Sequence, residues 1–122
     1  MRLSKFIAVL MLVSIAGLAL AAVNQYGVAD TQKVTFNDPM KVGDVVLPKG
    51  EYKVLHAMEG ENHIMLFTQQ RVAKPAQVRI KCQLVKLNGK AERTQLVYTE
   101  DASNVHILQE MIFRGDLAKH VF

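Results

Sequence analysis

Beyond Val23, apolar residues fall at alternate positions in short runs that turn residues interrupt. That is the period of a strand with one covered face, and no stretch sustains the 3.6-residue period of a helix. Val34 and Phe36 share one face of a first strand, which Asn37-Asp38-Pro39 ends. Met40 to Val42 and Val45 to Leu47 flank Gly43-Asp44, a Gly-first pair suited to a tight II′ turn. Leu47-Pro48-Lys49-Gly50 carries Pro second and Gly fourth, as a type I turn prefers. Glu51 to Met58 predicts a strand with Tyr52, Val54 and His56 on one face, and Glu59-Gly60-Glu61-Asn62 reverses the chain. His63 to Gln69 returns through Ile64, Met65, Leu66 and Phe67. An apolar run on both faces marks a central strand covered on both sides.

Ala76 to Lys86 and Lys90 to Glu100 read as a hairpin. A two-residue Asn88-Gly89 turn would set Leu96 and Tyr98 beside Arg79 and Lys81. A three-residue loop, Leu87-Asn88-Gly89 with Gly89 left-handed, pairs Ile80 with Leu96 and Val78 with Tyr98 instead. Because a one-residue slip exchanges the faces, the three-residue loop is expected. Asp101 to Asn104 turns the chain into a long strand ending at Phe113. Gly115-Asp116 offers another II′-type reversal, and Leu117 to Phe122 closes the pattern. About eight short strands without a helix predict an all-β fold, an antiparallel sandwich or small barrel. No internal repeat is visible, which disfavours a propeller or solenoid.

The N-terminus has a different pattern. Arg2 and Lys5 precede an apolar run from Phe6 to Ala16 broken only by Ser14, and Ala19-Leu20-Ala21 supplies small residues for a signal peptidase. A retained anchor is the rival reading, since the apolar stretch to Val23 just reaches spanning length. The small residues at one end and the absence of stop-transfer charges after Val23 favour cleavage. The expected organisation is a signal peptide over 1–22, a flexible lead-in over 23–32 and a single β-domain over 33–122. The domain would work in a periplasm or as a secreted protein, without a stable membrane span after cleavage.

Charge narrows the partners. Of 15 basic residues, Arg2 and Lys5 belong to the N-terminal segment, which leaves 13 against 11 acidic ones. That balance makes no electrostatic case for nucleic acid. Arg79-Ile80-Lys81 reads as the wet side of a strand rather than a phosphate track. No Trp is present to build a stacking platform for single strands. One cysteine excludes an internal disulfide framework and a thiolate zinc cluster. Cys82 alternates with Val78, Ile80 and Leu84, and a free Cys on an apolar face behaves as a small buried hydrophobe.

Two segments resemble a known group. The run Val42-Gly43-Asp44-Val45-Val46-Leu47-Pro48-Lys49-Gly50-Glu51-Tyr52-Lys53-Val54 and the segment Glu110-Met111-Ile112-Phe113-Arg114-Gly115 are similar to short exported proteins of unknown function common in acidobacterial and other soil-bacterial genomes. The resemblance implies export. It carries over no activity and no functional residue.

Candidate chemistry is sparse. His56 and His63 lie on adjacent strands of a predicted hairpin, where they can approach each other, and with Glu61 they offer imidazole and carboxylate ligands for zinc or copper. No histidine pair, His106 and His120 included, has the short spacing of a metal motif. Ser103 is the one serine past the leader and sits in a turn without a G-x-S-x-G elbow. Cys82 beside a histidine is the other candidate nucleophile, and a buried apolar setting would leave it inert. Glu59 with Glu61, and Glu100 with Asp101, fall in predicted turns, not across a cleft. Glu110 interrupts an apolar face; the expected role is an edge-exposed guard against aggregation, and the other readings have it face a partner, a ligand or Lys119 on the last strand. Met40, Met58, Met65 and Met111 lack the close spacing of a copper site and suit core filling. No catalytic, cofactor-binding or metal-binding residue is therefore assigned, and no cofactor is expected. The expectation is a non-enzymatic exported β-sandwich domain that acts by contact with itself, another protein or the envelope, with the last strand or the lead-in as the free edge that adds to a neighbour's sheet. The alternative is a small-ligand-binding β-barrel. A small hydrolase or metalloenzyme would need Glu110, His56 or His63 to converge in a cleft.

Overall fold

The alternating runs form strands. The computed structural model describes residues 24–122 and the backbone of one short strand before them, β1 (Val9–Val13). The expected signal peptide, 1–22, otherwise lies outside the described residues. The remaining strands are β2 (Thr31–Phe36), β3 (Met40–Val42), β4 (Val45–Leu47), β5 (Gly50–Glu59), β6 (Asn62–Gln69), β7 (Gln77–Lys86), β8 (Thr94–Glu100), β9 (His106–Ile112) and β10 (Ala118–Val121). There is no helix among the described residues, and so none long and apolar enough to cross a membrane. The fold is all-β and mostly antiparallel.

The strands make one open sheet in the order β1-β8-β9-β10-β7-β6-β5-β2. β3 runs parallel to the first residues of β9 and carries β4 as a hairpin. Strands β2 to β9 lend their covered residues to one core. Val34, Phe36, Tyr52, Val54, Phe67, Cys82, Leu96, Tyr98, Leu108, Met111 and Phe113 all belong to it. Tyr52 is fully buried, and its hydroxyl donates to the Pro48 carbonyl at 2.6 Å, which satisfies the one polar atom that burial would otherwise strand. Gly43 sits at φ +61 in the two-residue loop between paired Val42 and Val45, as the turn chemistry predicts. The Gly60-Glu61 reversal likewise joins paired Glu59 and Asn62.

The predicted hairpin between β7 and β8 does not form. β10 lies between β7 and β9, and β8 pairs with β9 and β1. The connecting segment bonds to a later part of the chain. Leu87 N–H donates to the Leu117 carbonyl at 2.9 Å, Ala91 N–H to the Asp116 carbonyl at 2.9 Å, and Gly115 N–H to the Ala91 carbonyl at 2.8 Å. Backbone groups that a local turn would have satisfied are thus satisfied over a long range. Gly89 is not left-handed. The expected faces nevertheless hold, because Val78, Cys82, Leu96 and Tyr98 enter the same core. The turn before β10 also differs in type. Asp116 N–H donates to the Phe113 carbonyl with Gly115 at φ 89 in the third position, as in a type II turn.

The lead-in expected over 23–32 is built into the fold from Asn24 onward. Val28 and Ala29 are buried, Leu117 N–H donates to the Gly27 carbonyl at 2.7 Å, and His56 N–H donates to the Asp30 carbonyl at 2.8 Å. The last strand is also not an edge, since β10 has neighbours on both sides.

Candidate functional site

The densest chemistry lies where β5, β6, β7 and β10 stand side by side. Each contributes one inward residue there: His56, His63, Cys82 and His120. His63 is directly opposite Cys82 in the ladder. The His56 and His63 rings stack with centroids 5.1 Å apart, and His56 Nε2 lies 3.0 Å from His63 Nδ1, so one ring donates to the other. The approach expected of this pair is therefore real. Tyr26, from the anchored lead-in, meets His63 edge-on at 4.9 Å. Burial, and then repulsion from His120 and His63, lower the His56 pKa to about 4, although Asp30 pulls the other way.

His120 joins this group without a sequence signal to announce it. Its Nδ1 lies 3.7 Å from Cys82 Sγ and its Nε2 lies 3.8 Å from Asp116 Oδ2. Asp116 Oδ1 accepts the Ala29 N–H at 3.2 Å, whereas Oδ2 is buried without a hydrogen bond. Thiol, imidazole and carboxylate thus stand in the order that nucleophilic thiol chemistry uses. Their environment opposes that chemistry. His120 and Asp116 are both 1% exposed, and burial pushes the Cys82 thiol up to about 11. A thiol so placed stays protonated at neutral pH. Burial also raises the Asp116 carboxyl, against the opposing pull of the nearby His120 ring and the Ala29 amide. Among the described residues, no three or more His, Cys, Asp or Glu side chains are placed to hold a metal ion.

The other candidates are scattered. Glu61 is exposed in its turn and does not join the His56–His63 pair. Glu59 pairs with Arg79 on the surface. Glu100 meets His106 Nε2 at 3.3 Å, and the His106 ring stacks on Tyr98. Asp101 accepts the Ser103 and Val105 amides at 2.7 and 3.0 Å, which gives Ser103 a place in an Asx turn. Glu110 accepts from Lys119 Nζ at 2.9 Å, one of the contacts open to it, and is not an edge guard because β9 lies between β8 and β10. Met40, Met65 and Met111 fill the core, and Met58 is half-buried. Glu110 does not converge with His56 or His63 in a cleft.

A half-open cavity of about 400 Å³ lies near the end of β10, lined by His63, Cys82, Lys81 and Phe122 among others. It is a notch in the rim of the sheet, not the apolar interior of a barrel. The two ends of the sheet are different surfaces. β2 forms one end and carries Lys33 at its middle, opposite Lys53 of β5. At the other end, β8 pairs with β1 through five consecutive positions, from Val13 opposite Thr94 to Val9 opposite Tyr98. Thr94 to Thr99 contains no charged side chain. No family model, curated protein or solved structure matches this chain.

Proposed function

We propose that this is an exported, non-enzymatic β-domain that acts by contact, and that it makes contact through the outer edge of β8. The carrying observation is that this edge takes an extended apolar strand, Val9–Val13, in an unbroken antiparallel ladder. The strand belongs to the segment expected to leave as a signal peptide. Its departure would uncover backbone donors and acceptors along Thr94–Tyr98, which an extended segment of another chain can pair. A lysine in mid-strand is a common guard against edge pairing, and β2 has one where β8 has none. The buried, protonated Cys82 and the dispersed carboxylates agree with a domain that performs no catalysis.

The test is an isotope-edited NMR titration of the protein recovered from a bacterial periplasm, after its intact mass has been read. The titrant is a peptide of residues 7–15 with flanking lysines for solubility. Shifts confined to β8 and its β9 neighbours support the reading, whereas shifts on β2 or none at all defeat it. The small-ligand alternative rests on the notch beside Cys82 and His63. A discrete added mass on the recovered protein, lost in Phe122→Ala, would move the function there.

A further inference from the structure

Resting on that reading, we infer that the partner at the β8 edge is the β8 edge of a second copy of this chain. The two strands pair antiparallel about a two-fold axis through Val97. Such an interface is isologous, so one strand must complement itself when reversed.

The β8 sequence meets this condition in one register. With Val97 opposite the second copy's Val97, Leu96 faces Tyr98, Gln95 faces Thr99 and Thr94 faces Glu100. Apolar residues meet apolar residues and polar ones meet polar ones. The flanking residues sharpen the fit. Arg93 falls opposite Asp101, and because the axis repeats the pair, two opposite-charge contacts bracket the ladder. Arg93 is exposed and Asp101 is half-buried, so the guanidinium is free to reach across. The only charge within the strand, Glu100, meets a threonine and not its own copy. Sliding the register so that Thr99 lies on the axis would set Glu100 opposite Tyr98 and Val97 opposite Asp101, and would lose both Arg93 contacts.

The alternatives fit less well. A symmetric β2 pairing about Lys33 would oppose two lysines, which is unfavourable. A β8-to-β2 pairing is head-to-tail, so it gives a ring or an open filament rather than a two-fold dimer, and it sets Lys33 of β2 against the uncharged β8 edge. The inward residues of β8, Thr94, Leu96 and Tyr98, are already buried in the core. Pairing therefore adds backbone bonds and contacts of Gln95, Val97 and Thr99 without disturbing the fold. In the full-length chain Val9–Val13 occupies the same edge, so the N-terminal segment excludes the second copy until it is removed.

Register-specific crosslinking tests this. The full chain is exported in a bacterial host and recovered, and intact mass reads whether residues 1–22 remain. Val97→Cys sits on the axis and is expected to give about ten-fold more oxidised dimer than Gln95→Cys, whose sulfur would face Thr99, since a disulfide tolerates little misplacement. Combining Gln95→Cys with Thr99→Cys is expected to restore the crosslink. The native Cys82 is buried and serves as an internal control. Equal crosslinking by the single variants, or a monomer by native mass spectrometry, overturns the self-pairing. A monomer that still binds the residue 7–15 peptide at β8 removes the second copy but leaves contact at this edge standing. A monomer that binds no peptide removes both.

Discussion

Acid should weaken this protein through His56. The ring is 7% exposed, and burial together with the neighbouring His120 and His63 lowers its pKa from the usual 6.5 to about 4. The unfolded chain therefore binds the proton more readily than the fold does. Stability from keeping the ring neutral is complete above pH 6.5, falls as the pH drops through the window from 6.5 to 4, and is gone below it. For a single site with these values the loss by pH 4.5 is about 2.5 kcal/mol. Asp116 works against it. Its carboxyl is raised, so the fold favours its protonated form and gains as the pH falls toward the ordinary carboxylate range. The decisive quantity is therefore the difference between the wild type and His56→Leu, in which the Asp116 contribution is shared. Urea unfolding at pH 7 and pH 4.5 should show the wild type losing about 2.5 kcal/mol more than His56→Leu. If the two proteins lose stability in parallel, the burial argument for His56 is wrong.

Other consequences are smaller. Tyr52→Phe leaves the Pro48 carbonyl without its 2.6 Å donor and should cost about 1–2 kcal/mol in urea unfolding. Gly43→Ala forces a side chain into φ +61 with its Cβ 3.1 Å from Ile80 Cδ1, and should lower stability by about 1–2 kcal/mol with the fold unchanged. Glu110→Ala breaks a half-exposed pair with Lys119 and should change stability by less than about 1 kcal/mol. Cys82, its thiol pushed up to about 11 and only 7% exposed at the back of the notch, should react with a thiol reagent at pH 8 far more slowly than the unfolded chain does. Rapid labelling of the native state would contradict its burial.

Local patterns in the sequence reached as far as strands, faces and tight turns. Alternation placed Val34, Tyr52, Val54, Cys82 and Leu96 on the covered side, and the Gly43-Asp44 and Gly60-Glu61 reversals follow from residue chemistry alone. The neighbour relations did not follow. Asn88-Gly89 is a strong local hairpin signal, yet β10 separates the strands it joins, because segment 87–91 bonds to residues 115–117. The same insertion hid the site. His56 and His63 are seven residues apart on one hairpin, so their meeting could be read from the turn between them. His120 and Asp116 reach Cys82 only because β10 lies against β7, a contact across 38 residues for the His–Cys pair. The choice of edge failed for the same reason. A terminal strand looks free in the sequence, whereas β10 is interior and β8, a strand in mid-chain, lies next to the end of the ladder with β1 on its outer side.

Amide hydrogen exchange on the exported protein, at high and at low concentration, tests the contact edge most directly. Outward amides of Thr94–Tyr98 should gain protection as concentration rises, while those of Thr31–Phe36 on β2 should exchange at the same rate in both samples. Protection that rises on β2 instead, or β8 amides that exchange freely at every concentration, would contradict contact through β8.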